Sequence, residues 1–404
     1  MTAPANQAYT PRQALIFVLA FGIVSLFADM SYEGMRGIAG PFLASLGATG
    51  LAVGVIAGTG ELAGYLLRLF SGRFADSSRA YWPITLTGYV VQMAAVPMMA
   101  LAGKWWVAAL LIIVERAGKA IRNPPRDAML SRAGETIGHG WAFGLHEALD
   151  QAGAMAGPLI AFAVLALHGD YREAFAWLAL PSLTTVALVF AMRFRFGALG
   201  KIVRPQNQAP DQPLPRAFWF YAAAAALTAF GFADFTLMSF HFGKAGIMGG
   251  AAIALFYSAA MAADGVASLV FGRWFDKAGL KVVYGGIALG ILVPPLAFFG
   301  GWWGAALGTL AWGACLGVHE AVMSAAVASL VPLHARARAY GLFTALFGTA
   351  WFLGSAVLGA LYDVSLIALV AVAVLSQLAA AIPLARAVAL NLAAKTPAPD
   401  PAGG

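Results

Sequence analysis

Stretches of about 20 apolar residues, each long enough to carry a helix across a ~30 Å hydrocarbon core at 1.5 Å per residue, follow one another almost from end to end of this chain. Twelve are expected, over 14–43, 50–71, 81–101, 104–122, 141–167, 173–194, 216–243, 250–271, 281–300, 302–331, 338–362 and 365–389. Only 11% of the residues are charged, where soluble domains carry roughly 25%. The expectation is an all-α integral membrane protein whose solvent is the lipid bilayer. The opening MTAPANQAYTPRQ lacks the basic region, short apolar core and cleavage site of a signal peptide, so the first span is expected to stay as a membrane helix.

A net charge of +7 raises the question of nucleic acid, and the placement of the charges answers it. Fifteen Lys and Arg side chains, from Arg73 to Arg338 and including Arg122 and Arg126, fall at or beside loops after even-numbered spans; Lys104, Arg172 and Lys244 fall on the other side. Cytoplasmic loops collect Lys and Arg, so both termini are expected in the cytoplasm, the membrane is expected to be a bacterial inner membrane, and no nucleic-acid partner is needed. Pro124 and Pro125 are expected to end the fourth helix, with Arg122 and Arg126 as cytoplasmic anchors. The single cysteine, Cys315, permits no disulfide within the chain. No metal-ligand spacing is present among His146, His241, His319 and His334, and no cofactor is expected.

The chain repeats itself. The polar, proline-containing stretch GKIVRPQNQAPDQPLP lies in a linker at 195–215, with six spans before it and six after. SGRFADSSR at 71–79 aligns with FGRWFDKAG at 271–279, FAD at 27–29 with FAD at 232–234, and FGLHEALDQAGAMAGPLI at 143–160 with YGLFTALFGTAWFLGSAV at 340–357. The offsets of 200, 205 and 197 residues keep one order, as a duplicated six-helix unit requires. The expected organisation is a tail at 1–13, one six-helix bundle at 14–194, the linker, a second bundle at 216–389, and a tail at 390–404. Such a bundle pair closes its own core, and a monomer is expected.

In these motifs the chain resembles the major facilitator superfamily over its whole membrane-embedded length. The resemblance implies two pseudo-symmetric six-helix bundles that rock about a central small-molecule site. The loop signature after the second helix is matched by Gly272, Asp276, Lys277, Gly279 and Lys281 and, with Arg79 in place of its second glycine, by Gly72 and Asp76. By that likeness these residues form a conformational latch: glycine permits a tight helix exit and the carboxylate accepts from a neighbouring helix start. Gly153, Gly157 and Pro158 resemble the fifth-helix pattern of proton-driven efflux members, with Ala161 and Phe162 where two further glycines stand. IIVERAGKAIRNPPR at 112–126 resembles the fourth-helix motif with its membrane arginine, here Arg116.

The charges inside the apolar spans carry the functional reading. Asp29, Glu33 and Arg36 are spaced by four and three residues, with Tyr32 between, so all four share one helix face. A charge at the bilayer centre costs on the order of 2.5–3.5 kcal/mol, so this face turns to protein or water. Glu61, Glu115, Arg116, Glu147 and Asp150 fall within about one turn of the same depth. Proton coupling is accordingly expected at Asp29, Glu33, Glu61, Arg116, Glu147 and Asp150, and a substrate cavity at Tyr32, Arg36, Lys119, Asp234, His241, Asp264, His319 and Glu320. His319 and Glu320 are adjacent, so one of the two is expected to face the cavity squarely. Phe240, Phe242 and Trp351 are further candidates for its lining, while Trp105, Trp106, Trp302 and Trp303 fall where interface anchors sit.

Two function classes follow. A secondary transporter, exporting a small organic molecule against protons or taking up a sugar or organic acid with them, uses every feature above. A membrane enzyme or lipid-handling protein would need a nucleophile and base, or a metal, in the cavity, and no such constellation is found. No phosphate-binding Gly-x-x-x-x-Gly-Lys-Ser loop occurs, so the drive is expected to be an ion gradient, with protons as the partner of the carboxylates.

Overall fold

The computed structural model describes residues 10–78, 80–197, 213–332 and 335–395. Ten segments of the described residues are long and apolar enough to cross a membrane. One of these, Gly250–Phe299, contains two crossings, α10 (Gly250–Ala278) and α11 (Val283–Phe299), because the 3-10 turn Gly279–Val282 reverses the chain between them. The charges of α4 (Trp105–Ile137) keep it out of the apolar set although it packs among the others, and with it the crossings number twelve.

The remaining helices of the first half are α1 (Pro11–Ser45), α2 (Gly50–Ser78), α3 (Tyr81–Met98), α5 (His139–His168) and a crossing broken at Leu178 into α6 (Tyr171–Trp177) and α7 (Ala179–Phe196). In the second half, α8 (Arg216–Phe230) and α9 (Phe235–Lys244) share one crossing, followed after α11 by α12 (Gly301–Leu330), α13 (Arg336–Val364) and α14 (Leu366–Lys395). Local chemistry explains the ends. Thr10 and Gln13 form a capping box around Pro11, and Gly279, at φ +58°, takes a positive-φ conformation open to glycine that ends α10.

Proline does not end α4. The helix runs through Pro124 and Pro125 to Ile137, contrary to the sequence expectation, because neighbouring helices hold both sides of the kink-prone stretch. Arg122 is wholly buried and Arg126 9% exposed, so neither is a cytoplasmic surface anchor. The indoles at 105, 106, 302 and 303 are exposed to 37%, 54%, 41% and 74%, as interface anchors are.

Glycines decide how closely the helices meet. A Cβ on Gly157 would strike the carbonyl oxygen of Met30, and one on Gly153 that of Leu26, so α5 lies with its backbone against α1. The second half repeats the device at the aligned position, where Gly354 of α13 lies on the carbonyl of Phe230 at the end of α8.

Three helix pairs make the most extensive contacts between the halves among the described residues: α1 with α9, α5 with α10, and α2 with α13. The α2–α13 pair runs antiparallel, Gly50 against Gly359 and Tyr362, Gly54 against Ser355, Gly58 against Phe352, and Gly348 against Tyr65. At its far end, away from the N-terminus of α1, Asp363 crosses between halves: its carboxylate accepts from the amides of Gly50 and Leu51, both at 2.9 Å. A carboxylate on two free amides of a helix start is charge-assisted and favoured by the helix dipole. Past Tyr65 and Gly348 the two helices separate, and Arg68 and Thr344 line open space. The structure is therefore closed at the far end and open toward the end that carries the N-terminus of α1.

Opening the far end must break the Asp363 contacts. Spin labels at Leu51 and Val364 are expected to show an added longer-distance population in Asp363→Ala; a distance distribution identical to that of the unsubstituted protein would count against a latch there.

Candidate functional site

The open space is a cavity of about 690 Å³ between the halves. Asp29, Tyr32, Glu33 and Arg36 line it from α1, Glu61 from α2, Arg116 and Lys119 from α4, and Glu147 and Asp150 from α5. Asp264 of α10 and both His319 and Glu320 of α12 line it from the other half. Both members of that adjacent pair reach the cavity because it is wide: His319 is 8% exposed at one flank and Glu320 is exposed beside it.

Two expected residues are elsewhere. His241 is packed against Phe242, Phe298 and Tyr362, its Nδ1 3.1 Å from the Tyr362 hydroxyl, and does not line the cavity. Its neighbours Phe240 and Phe242 are buried in the same packing, since α9 lies under α1 at the closed end. Asp234 also stands behind the lining. It caps α9, accepting from Thr236 N–H at 2.8 Å, where its sequence counterpart Asp29 sits inside the unbroken α1. Trp351, by contrast, does line the cavity.

At the cavity floor Arg36 stands between three carboxylates from three elements. Its Nη2 is 3.5 Å from Asp234 and 3.8 Å from Glu61, and its Nη1 is 4.0 Å from Glu33 and donates to the Tyr32 hydroxyl at 3.2 Å. The guanidinium also lies over the Trp312 ring at 5.7 Å. Glu33 in turn accepts from the hydroxyl of Tyr257 on α10, so two polar contacts cross the halves within one helical turn of α1.

From Glu61 the polar chain runs back into the first half. Arg116 Nη2 is 3.0 Å from Glu61, and its Nε is 3.9 Å from Glu115. Glu115 is wholly buried and accepts from Gln92 at 2.7 Å, while Gln92 accepts from Arg122 Nε. Arg122 donates to the Tyr89 hydroxyl at 3.0 Å and pairs with Asp29 at 3.7 Å. Gly118 and Gly88 permit this, because side chains there would strike the backbone at Gln92 and Arg122 where α3 and α4 meet. Deeper toward the N-terminal end, Arg126 donates to Ser25, whose hydroxyl lies 2.9 Å from His146 Nε2. Gln92, Tyr89, Arg122 and Tyr257 were not singled out as site residues from sequence; the only signal was the Gln and Arg inside otherwise apolar helices.

The motif residues fall at helix ends and packing contacts. Gly72 and Asp76 lie in the last two turns of α2, and Arg79 lies outside the described residues. Gly272, Asp276 and Lys277 close α10 ahead of Gly279. Gly153 and Gly157 lie on the α1-facing contact of α5, with Pro158 next to them inside the helix.

No protein-family model matches the chain. It is 43% identical over 377 residues to an uncharacterized protein of Mycobacterium tuberculosis, covering 90% of this chain and 91% of that one. An uncharacterized MFS-type transporter of Methanocaldococcus jannaschii is 27% identical over 361 residues, covering 86% and 89%. The multidrug resistance protein MdtH of Proteus mirabilis is 33% identical over 119 residues, 30% of each chain. Among solved structures, the nucleoside transporter NupG matches with a TM-score of 0.69 at 15% identity, covering 93% of this chain and 98% of that one. At that identity the likeness is one of fold.

Removing one partner of a buried ion pair leaves the other uncompensated at a cost of about 3–5 kcal/mol. Arg122→Met is expected to lower the thermal unfolding midpoint, and Asp29→Asn combined with it to recover part of the loss; additive losses in this cycle would mean the pair is not coupled.

Proposed function

We propose that this chain is a secondary transporter of the major facilitator superfamily, a reading supported by its likeness to the archaeal MFS-type transporter over most of its length and by the fold it shares with NupG, and that it exports a small organic molecule in exchange for protons by alternating access. The observation that carries the reading is the unbroken polar chain from cavity-facing carboxylates to the contact between the halves. Glu33 and Glu61 share Arg36 with Asp234 of the opposite half. A proton on either glutamate removes one of the guanidinium's anions, so protonation in the cavity changes what holds the closed end together. Asp29 and Asp150, nearer the open end, are where protons would enter from that side.

Export is favoured by the partial likeness to a multidrug resistance protein, and the α5 glycines seat two cavity-lining helices backbone on backbone, as alternating access in either direction can use. The Lys and Arg distribution puts the open end at the cytoplasm in this reading, where an exporter loads. The latch role of Asp76 and Asp276, and the division into bundles at 14–194 and 216–389, belong to the same proposal.

Substrates are found by thermal unfolding of the purified protein against a chemically diverse library; a ligand at a hundred times its Kd adds about 2.7 kcal/mol. In proteoliposomes carrying a pH dye, a hit is expected to move protons when it moves. Asp29→Asn, Glu33→Gln and Asp150→Asn are expected to retain downhill exchange and to lose accumulation against a gradient. Intact pH-driven accumulation in all three variants would overturn the coupling.

A further inference from the structure

The walls of the cavity are unequally neutralised. On the α1, α2 and α4 side each lining carboxylate has a guanidinium: Glu33 and Glu61 have Arg36, Glu61 also has Arg116, and Asp29 has Arg122. Glu147 and Asp150 of α5, Asp264 of α10 and Glu320 of α12 line the cavity with no Lys or Arg within 4.0 Å among the described residues. Among the described residues Glu147 accepts from the Gln151 amide at 3.5 Å and Asp264 from the Ser268 hydroxyl at 3.3 Å. Two more cations line the cavity, each over a ring: Lys119 Nζ is 3.9 Å from the Tyr32 centroid, and the Arg68 guanidinium is 5.7 Å from that of Tyr65.

Burial sets Asp264 apart from a surface carboxylate. Asp264 is 2% exposed, set against α12 where Gly317 has no side chain to displace it. His319 is 8% exposed, and among the described residues neither its Nδ1 nor the indole N–H of Trp351, a side chain 4% exposed, has a hydrogen-bond partner. Next to them stands an aromatic wall. Phe343 and Phe347 stack at 5.9 Å, and Trp351 and Tyr65 each meet Phe347 edge-on, at 5.6 Å and 6.0 Å. An inorganic ion is a poor fit, since no group of three or more His, Cys, Asp or Glu among the described residues is placed to hold a metal. The space is also far larger than one ion needs.

We propose that the transported molecule is an organic cation: a protonated amine, quaternary ammonium or phosphonium on an aromatic body. Its charge lies among Glu147, Asp150, Asp264 and Glu320, and its rings lie against Phe343, Phe347 and Trp351. Anionic side chains supply the attraction that aromatic faces add to, and a neutral or anionic isostere leaves the same carboxylates unpaired. The assignment rests on the transporter reading above and adds the substrate class to it.

Tetraphenylphosphonium and tetraphenylborate, near-isosteric ions of opposite charge, are the probes, titrated by calorimetry against the full chain in nanodiscs. The phosphonium is expected to bind at least tenfold more tightly than the borate. Glu320→Gln and Asp264→Asn are each expected to weaken it about tenfold or more, and Phe347→Leu severalfold, with the exposed Glu135→Gln as an unchanged control. Glu320 is exposed to the cavity, so its variant tests the site even where Asp264→Asn fails to fold. Equal affinity for the two ions, or a phosphonium affinity within twofold of the unsubstituted protein in Glu320→Gln, overturns the proposal. Proton-coupled movement of neutral or anionic compounds alone, in the proteoliposomes above, would overturn the class and leave the transporter reading standing. Phosphonium binding that needs Glu320 but moves no protons would do the reverse.

Discussion

A guanidinium in the middle of a helix bundle is tolerable only where anions surround it, and Arg36 finds them on both sides of the molecule. Glu33 and Glu61 approach from the first half and Asp234 from the second. The rest of the site is arranged around that sharing. Glu61 passes its charge to Arg116, and through Glu115, Gln92 and Arg122 the chain returns to Asp29, one turn before Glu33 on the same helix. Buried ion pairs of this kind add little net stability, because desolvation cancels most of the attraction. Their worth lies in alternatives: a guanidinium with three candidate anions can change partners at small cost when one takes a proton.

Backbone contact makes the arrangement possible. Where Gly157 meets Met30 and Gly354 meets Phe230, helices touch without intervening side chains. In a bilayer, where lipid is as apolar as leucine, such close packing replaces the hydrophobic effect as the force between helices. The same small residues allow movement, since smooth surfaces slide where interlocked ones do not. At the closed end the contact is different in kind, two amides on one carboxylate at Asp363, and it can be made or broken as a unit.

Much of this was legible in the chain, and the failures are informative. Apolar length and the internal repeat revealed twelve crossings in two sets, and helical spacing placed Asp29, Tyr32, Glu33 and Arg36 on one cavity-facing side. The expectation for Arg122 and Arg126 fails because α4 continues through Pro124 and Pro125, which carries Arg122 against Gln92 and Tyr89 and Arg126 against Ser25. Polarity in an apolar span suggests a cavity for His241, whereas its Nδ1 meets a tyrosine hydroxyl at the closed end.

The amino-acid sequence by itself determined that the chain is a membrane bundle with an internal repeat and that its charges gather at one depth, because length, polarity and period are properties of each segment alone. Which carboxylates are neutralised by arginine and which stand open to the cavity was decided only by the tertiary structure. Pairing depends on distances of 3 to 4 Å between residues such as Arg36 and Asp234, almost two hundred positions apart, and those distances are set by how closely glycine lets one helix approach another.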